Sequence, residues 1–204
     1  MLSPANMFLL GVIDAAPINP YEIVSRFEFH RYKSLLRLAD STIYAYIRAL
    51  HRKGFIQFEL QQEGAMPAKK VYRLTEAGQV ELKDSIRSYL SGNSSDGAGF
   101  SDALLLMHYF SREELISFLE THQAVLEPEV VQRLDDYNFV GQIHCEYSCI
   151  PNVISAYQVY MQVKAELNTT CYAIQMLREA QEWPQNTFER TQVYKDRYLQ
   201  REQE

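Results

Sequence analysis

Three stretches in a fixed order constrain this chain more than anything else in it: Leu38-Ala39-Asp40-Ser41-Thr42-Ile43-Tyr44, then Ala49 through Gly54-Phe55-Ile56, then Val71 through Thr75-Glu76-Ala77-Gly78. Asp40 can cap the free N–H groups of a first helical turn, and Gly54 suits the end of that helix. Ile56, Phe58 and Leu60 then alternate with Gln57, Glu59 and Gln61, the period of a half-buried strand. Glu63 to Ala68, with Gly64 and Pro67, reads as a turn, and Lys69 to Leu74 returns as the partner strand. Thr75 caps a further helix on which Leu82, Ile86, Tyr89 and Leu90 share a face.

Upstream, Met7 to Ala15 is apolar on nearly every side and predicts a buried helix. Asn19-Pro20-Tyr21-Glu22 opens a second one. Asn19 can cap, Pro20 loses nothing at the first helical position, and Glu22 can reach back to the cap. Ile23, Val24 and Phe27 supply its apolar face. Helices followed by a two-stranded ribbon and another helix describe a winged helix, a module that presents one helix to the DNA major groove.

That helix carries two faces. Ile43, Ile47 and Leu50, with Tyr46 beside them, should seat it on the core. Opposite lie Ser41, Tyr44, Ala45, Arg48 and Arg52: a small residue for close approach, hydroxyls for phosphate or base edges, and arginines for guanine or backbone. Tyr44 and Arg48 are assigned to base edges and Arg52 to phosphate. Lys69 and Lys70 follow the turn, where they can straddle the minor groove or its phosphates. Tyr21 and Thr42 complete the candidate set. Each feature has a plainer reading, a solvated helix face or anti-aggregation charges on an edge strand, and only their order together favours DNA.

The net charge of −6 argues against nucleic acid until the chain is divided. Residues 1–90 hold 12 Lys and Arg against 9 Asp and Glu, a balance of +3, whereas residues 91–204 hold 8 against 17, a balance of −9. A DNA-facing half joined to an acidic half fits this split, as does an unremarkable acidic protein with uneven charge. Ser91 to Gly99 holds three glycines and three serines and reads as a linker. Beyond it the pattern is helical. Ser101 and Ser111 should each start a helix, the second with a Ser111/Glu114 capping box and a Phe110/Leu115 staple. Pro128 should start or kink a helix running towards Glu146, and Pro151 should break the chain again. Tyr157, Tyr160, Lys164, Leu167, Cys171 and Ile174 recur at three- and four-residue steps and suit packing against another long helix, in this chain or a second copy.

The first ninety residues resemble the PadR family of winged-helix transcriptional regulators. Asn19-Pro20-Tyr21-Glu22-Ile23 stands at the family's Gly-Tyr-Glu-Ile motif, and Leu38 to Tyr44 at its Leu-Ser-Pro-Gly-Thr-Ile-Tyr. Leu50 to Gly54-Phe55-Ile56 matches a Leu…Gly-Leu-Ile step, and Lys70 to Gly78 a basic Tyr-Arg-Leu-Thr-x-x-Gly close. Ala39-Asp40-Ser41 replaces the family's Ser-Pro-Gly, which makes backbone approach at Ser41 less free than at a glycine. The resemblance implies a mainly α protein: a winged helix-turn-helix domain at 1–90, a linker at 91–99, an all-helical dimerisation domain at 100–183 and a polar tail at 184–204. It further implies a cytoplasmic homodimer on a palindromic operator, usually repressing, with some relatives releasing DNA on binding phenolic or other planar ligands.

Other chemistries are weak. His144, Cys145 and Cys149 lack the partners that would complete a zinc set, and the three cysteines (with Cys171) form no disulfide framework. No phosphate loop or nucleophile elbow appears, so no catalytic residue, metal or cofactor is assigned and an enzyme is not expected. No apolar run reaches the length of a bilayer span. Tyr137, Phe139, Tyr147, Tyr157, Tyr160, Tyr172 and Trp183 can line a pocket for a planar effector, but helix packing explains them better. The competing functional class is a protein–protein adaptor that keeps the winged helix without reading DNA.

Overall fold

The computed structural model describes residues 1–29, 38–62, 67–93, 99–142 and 150–183. The chain is mainly helical, and its described residues fall into two compact units, one from residues 1–89 and 99–109, the other from 90–93 and 110–183.

In the first unit α1 (Pro4–Ala15) buries Met7, Phe8, Leu9, Leu10 and Ile13, which point in all directions around the helix and make it the centre of the core. α2 (Pro20–Phe29) adds Ile23, Val24 and Phe27, and α3 (Asp40–Arg52) adds Ile43, Ile47 and Leu50. α4 (Glu76–Leu90) contributes Leu82, Ile86 and Tyr89, as its spacing foretold. It also grips the segment before α1: the Leu2 N–H donates to Ser85 Oγ at 2.9 Å, and the Tyr89 hydroxyl donates to the Leu2 carbonyl at 3.0 Å.

β1 (Ile56–Gln61) and β2 (Lys69–Leu74) form an antiparallel ribbon in which Phe58 faces Tyr72 and Leu60 faces Lys70. On its other edge Tyr72 exchanges both backbone hydrogen bonds with Ile18, at 2.8 and 3.1 Å. A strand residue aims its N–H and C=O to one side, so towards β1 the Phe58–Tyr72 pair is non-hydrogen-bonded and its side chains approach closely. The alternation expected of β1 is only partly used. Ile56 is buried and Phe58 half-buried, but Leu60 is 66% exposed because the ribbon runs out beyond the core. The turn expected over 63–68 lies largely outside the described residues.

Helix starts need two corrections. Asp40 is the first helical residue of α3 rather than its cap; Ala39 holds the cap position with no side-chain hydrogen bond. Asp40 instead places a negative charge in the first turn, where the helix dipole favours it. α5 (Phe100–Leu104) starts one residue before Ser101, with Gly99 at its cap. A short 3-10 turn follows at Met107–Tyr109. The Tyr109 hydroxyl donates to Asp14 Oδ2 at 3.0 Å, and Gln79 Nε2 reaches Asp14 Oδ1 at 3.4 Å, so one carboxylate at the end of α1 ties in both neighbours. Burial and the adjacent Asp14 carboxylate raise the Tyr109 phenol far above its usual range. Burial holds the His108 imidazole below the usual histidine value, against smaller opposing pulls from the Leu105 carbonyl and Asp14.

The second unit is built on two long helices, α6 (Arg112–Gln142) and α7 (Ile150–Glu179). The Ser111/Glu114 capping box forms as expected, at 2.8 and 3.2 Å, with Phe110 and Leu115 both buried. Pro128 does not start α6, which runs through it. Proline there removes one N–H and leaves the Ala124 carbonyl without its usual partner, and both residues are exposed, where water can meet that carbonyl. A helix boundary falls at Pro151 as expected, α7 beginning one residue before it. The proline occupies the first turn of α7, where a backbone N–H has no helical partner in any case.

The buried stripe of α7 is rotated from the expected seam. Tyr160, Leu167 and Ile174 face inward, but the alternate positions are Ala156, Val163, Thr170 and Leu177, leaving Tyr157, Lys164 and Cys171 exposed. Thr170 can be fully buried because its hydroxyl donates to the Glu166 carbonyl one turn back, at 2.9 Å. Between the helices the buried His122 donates from Nε2 to Glu166 Oε1 at 3.0 Å. Arg178 pairs with Glu120 at 2.6 Å, and the Trp183 indole donates to the Phe110 carbonyl at 3.0 Å. His144, Cys145, Tyr147, Cys149, most of the linker at 91–99 and the tail from 184 lie outside the described residues. Among the described residues no helix is long and apolar enough to cross a membrane.

A Cβ on Gly78 would overlap the Phe55 carbonyl oxygen, a backbone atom that cannot swing aside. Gly78→Ala should therefore lower unfolding free energy by about 1–3 kcal/mol in denaturant titration; an unchanged midpoint would refute the close approach. A histidine held low when folded adds stability above its unfolded value near 6.5, and that stability is lost as pH falls through the folded value. Wild-type stability should accordingly drop between neutral and mildly acidic pH, with a shallower drop in His108→Asn.

Candidate nucleic-acid interface

The candidate surface is assembled around one junction. α3 ends at Arg52 with Lys53 as its cap, and Gly54 takes φ +74°, the left-handed conformation that closes a helix and suits glycine. The Gly54 N–H bonds the His51 carbonyl at 3.0 Å and the Phe55 N–H bonds the Leu50 carbonyl at 3.1 Å, a Schellman ending that turns the chain straight into β1. Thr75, at the far end of the ribbon, closes the loop. Its hydroxyl donates to the Gly54 carbonyl at 2.7 Å and accepts from the Gly78 N–H at 3.1 Å, while its own N–H donates to the Phe55 carbonyl at 3.0 Å. One residue thus caps α4 and locks the wing to the end of α3.

α3 itself is held by its inner face. Ile43, Ile47 and Leu50 are buried, each such side chain worth about 1.5–3 kcal/mol of transfer from water. That outweighs the roughly 1 kcal/mol a side-chain cap would add at Ala39. At 100° per residue, Ser41, Tyr44, Ala45, Arg48 and Arg52 fall within an arc of about 100°, and all five are exposed. The structure brings these five together as the sequence arranged them. Thr42 lies at the edge of the stripe and is half-buried. Among the described residues neither Arg48 nor Arg52 is engaged by a carboxylate.

α2 is fixed by the capping box read from its sequence: the Glu22 N–H donates to Asn19 Oδ1 at 3.0 Å and the Asn19 N–H to Glu22 Oε2 at 3.4 Å. Tyr21, in its first turn, projects with 77% exposure. Lys69 and Lys70 are both exposed on β2 but, as successive strand residues, point to opposite faces of the ribbon. Lys70 folds back so that Nζ lies 4.3 Å from the centre of the Phe58 ring. Across the ribbon Arg73 and Glu59 approach at 3.9 Å, an exposed pair of small energetic weight. His51, which the sequence reading passed over, lies at the base of this group, its Nδ1 3.0 Å from the Ile56 carbonyl. Burial raises the Tyr72 phenol above its usual range, keeping it neutral behind the charged surface.

Residues 9–84, from α1 to most of α4, match the model of the transcriptional regulator PadR-like family. The match covers the whole candidate surface, and the family is one of transcriptional regulators rather than enzymes. No curated protein matches the chain. Among solved structures, Bacillus subtilis PadR in complex with operator DNA is similar at 18% identity, over 85% of this chain and 98% of that one, with a TM-score of 0.36. The same regulator in complex with p-coumaric acid gives 17% identity, 87% and 100% coverage and a TM-score of 0.34. A PadR-like regulator of Bacillus cereus gives 16%, 87% and 97%, with 0.38. The likeness that bears on the candidate surface is the family match over 9–84.

Of the seven aromatics weighed for an effector pocket, only some converge. Tyr137 lies 5.4 Å from Tyr157 and 6.5 Å from Tyr160, ring centre to ring centre, the latter nearly parallel. Phe139 and Tyr172 are exposed, Trp183 is bound to Phe110, and Tyr147 lies outside the described residues.

The two faces of α3 should separate cleanly by mutation. Ile47→Ala should cost about 2–5 kcal/mol of stability, whereas Arg48→Ala should stay within about 0.5 kcal/mol of wild type. Equal losses in denaturant titration would contradict the assignment of inner and outer faces.

Proposed function

We propose that the protein is a sequence-specific DNA-binding regulator, acting as a homodimeric repressor on a palindromic operator. The observation that carries this reading is the outer face of α3. A helix fixed by three buried residues and by the wing junction presents Ser41, Tyr44, Ala45, Arg48 and Arg52 to solvent in one stripe. Tyr44 and Arg48 are assigned to base edges in the major groove and Arg52 to phosphate; Lys69, Lys70, Tyr21 and Thr42 are assigned to the flanking backbone or groove walls. The positive balance of residues 1–90 supports the approach to DNA.

The domain organisation proposed from the sequence, a DNA-binding part at 1–90 and a dimerisation part at 100–183 separated by 91–99, stands with this reading. Dimerisation is supported by Val131, Phe139, Ile154 and Tyr172 on α6 and α7, each more than half exposed. Such a concentration of large apolar side chains on two helices suits a second copy of the chain. The reading includes a small planar effector as modulator, for which the Tyr137, Tyr157 and Tyr160 rings offer stacking surface.

The decisive experiment titrates the full chain on duplex DNA from its own upstream region and on a scrambled duplex, at near-physiological salt. Preferential binding is expected, with Arg48→Ala losing about 1–3 kcal/mol and relaxing the preference. Lys69→Ala and Lys70→Ala should each reduce the slope of log affinity against log salt by about 0.9. Equal binding to both duplexes, or none, would overturn the reading and favour the adaptor.

A further inference from the structure

We propose that His51 is a positioning residue that couples the wing to the reading helix, holding Lys70 in the place from which it meets DNA. The proposal rests on the DNA-binding reading of α3 and the wing and names a residue to which that reading gives no part.

The connection is continuous. His51 stands in the last turn of α3, and its Nδ1 lies 3.0 Å from the carbonyl of Ile56, the first residue of β1. A carbonyl only accepts, so the imidazole proton is on Nδ1 and the ring is oriented by that bond. In this orientation the imidazole packs edge-on against Phe58, centre to centre 5.2 Å at 61°, and against Tyr72 at 6.2 Å and 77°. Phe58 and Tyr72 are 5.6 Å apart. Their approach follows from the ribbon register, since Tyr72 spends its backbone bonds on Ile18 and meets Phe58 in the close type of pair. Lys70, diagonal to Phe58 on the same ribbon face, then sets its ammonium 4.3 Å from the centre of that ring.

Helix end, strand start, ring and cation therefore form one chain of contacts. A flexible lysine on an exposed strand has many rotamers, and the Phe58 ring selects among them. The ring itself is only half-buried, and His51 supplies one of its walls. Removing His51 would leave Lys70 present but unplaced.

Two measurements decide the matter. In the DNA-free protein, Phe58 shields the Lys70 εCH2 protons, so His51→Ala should move their NMR resonance towards the random-coil position. An unmoved resonance in a folded variant overturns the coupling, and this result does not depend on DNA. On the duplex of the preceding experiment, His51→Ala should lower the salt slope by about 0.9, as Lys70→Ala does. The His51→Ala/Lys70→Ala double variant should bind no worse than Lys70→Ala alone. His51→Ala combined with Arg48→Ala should instead be additive. Additivity of His51 with Lys70 means that His51 touches DNA itself, and non-additivity with Arg48 means that the whole helix has loosened; either overturns the proposal. A wild-type protein that does not prefer its own DNA sinks the functional reading instead, and the NMR measurement then judges the coupling by itself. His51→Asn, which keeps a donor near the Nδ1 position, repeats both measurements should the alanine variant unfold.

Discussion

The winged unit depends on the contact between Gly78 and the Phe55 carbonyl. That approach leaves no room for a side chain, and it brings the first turn of α4 against the backbone that joins α3 to β1. Around it Thr75 serves three backbone partners, Gly54, Phe55 and Gly78, with one hydroxyl and one N–H. Three elements that diverge in direction are thereby welded at one point. The inner face of α3 sets its depth in the core, but this weld sets where the wing lies relative to it.

Much of that arrangement was legible in the chain itself, for physical reasons that differ from element to element. β2 and α4 were readable because the run that returns from the turn meets a threonine with the capping geometry of a helix start. α2 was readable because Asn19, Pro20 and Glu22 are each suited to one position of a first turn. The outer face of α3 followed from helical spacing alone, since Ile43, Ile47 and Leu50 leave only one side for the arginines. Asp40 was misplaced by one residue because a carboxylate favours the first turn as well as the cap, and the sequence does not separate dipole attraction from a hydrogen bond. His51 was invisible as a functional residue because its neighbours come from strand register, which no local pattern specifies.

The second unit shows the opposite failure. Reading α7 by three- and four-residue steps chose Tyr157, Lys164 and Cys171 and passed over Ala156 and Thr170. Close packing of two long helices rewards small side chains, and a threonine hydroxyl satisfied by its own helix is no obstacle to burial. The His122–Glu166 contact adds a polar pair to that interface, which a purely hydrophobic ranking could not anticipate. Pro128 does not begin a helix for a related reason: proline disfavours a helix locally, but thirty-one residues of continuous helix absorb one missing bond on a wet side.

The unequal ends of α3 have a mechanical corollary. The helix is bound at its C-terminal end by the Schellman turn and Thr75, whereas its N-terminal end carries no side-chain cap. From Arg52 to Ser41 is roughly 16 Å at the helical rise. A rod pivoting at one end moves most at the other, so a tilt of about 5° would carry Ser41 by something over 1 Å and Arg52 hardly at all. In such a tilt Arg52 would be the foot of a lever and Ser41, Tyr44 and Ala45 its arm, with the buried Ile43 resisting from the core side. Geometry thus grades the surface by distance from the weld, with Arg52 nearest to it and Ser41 farthest away.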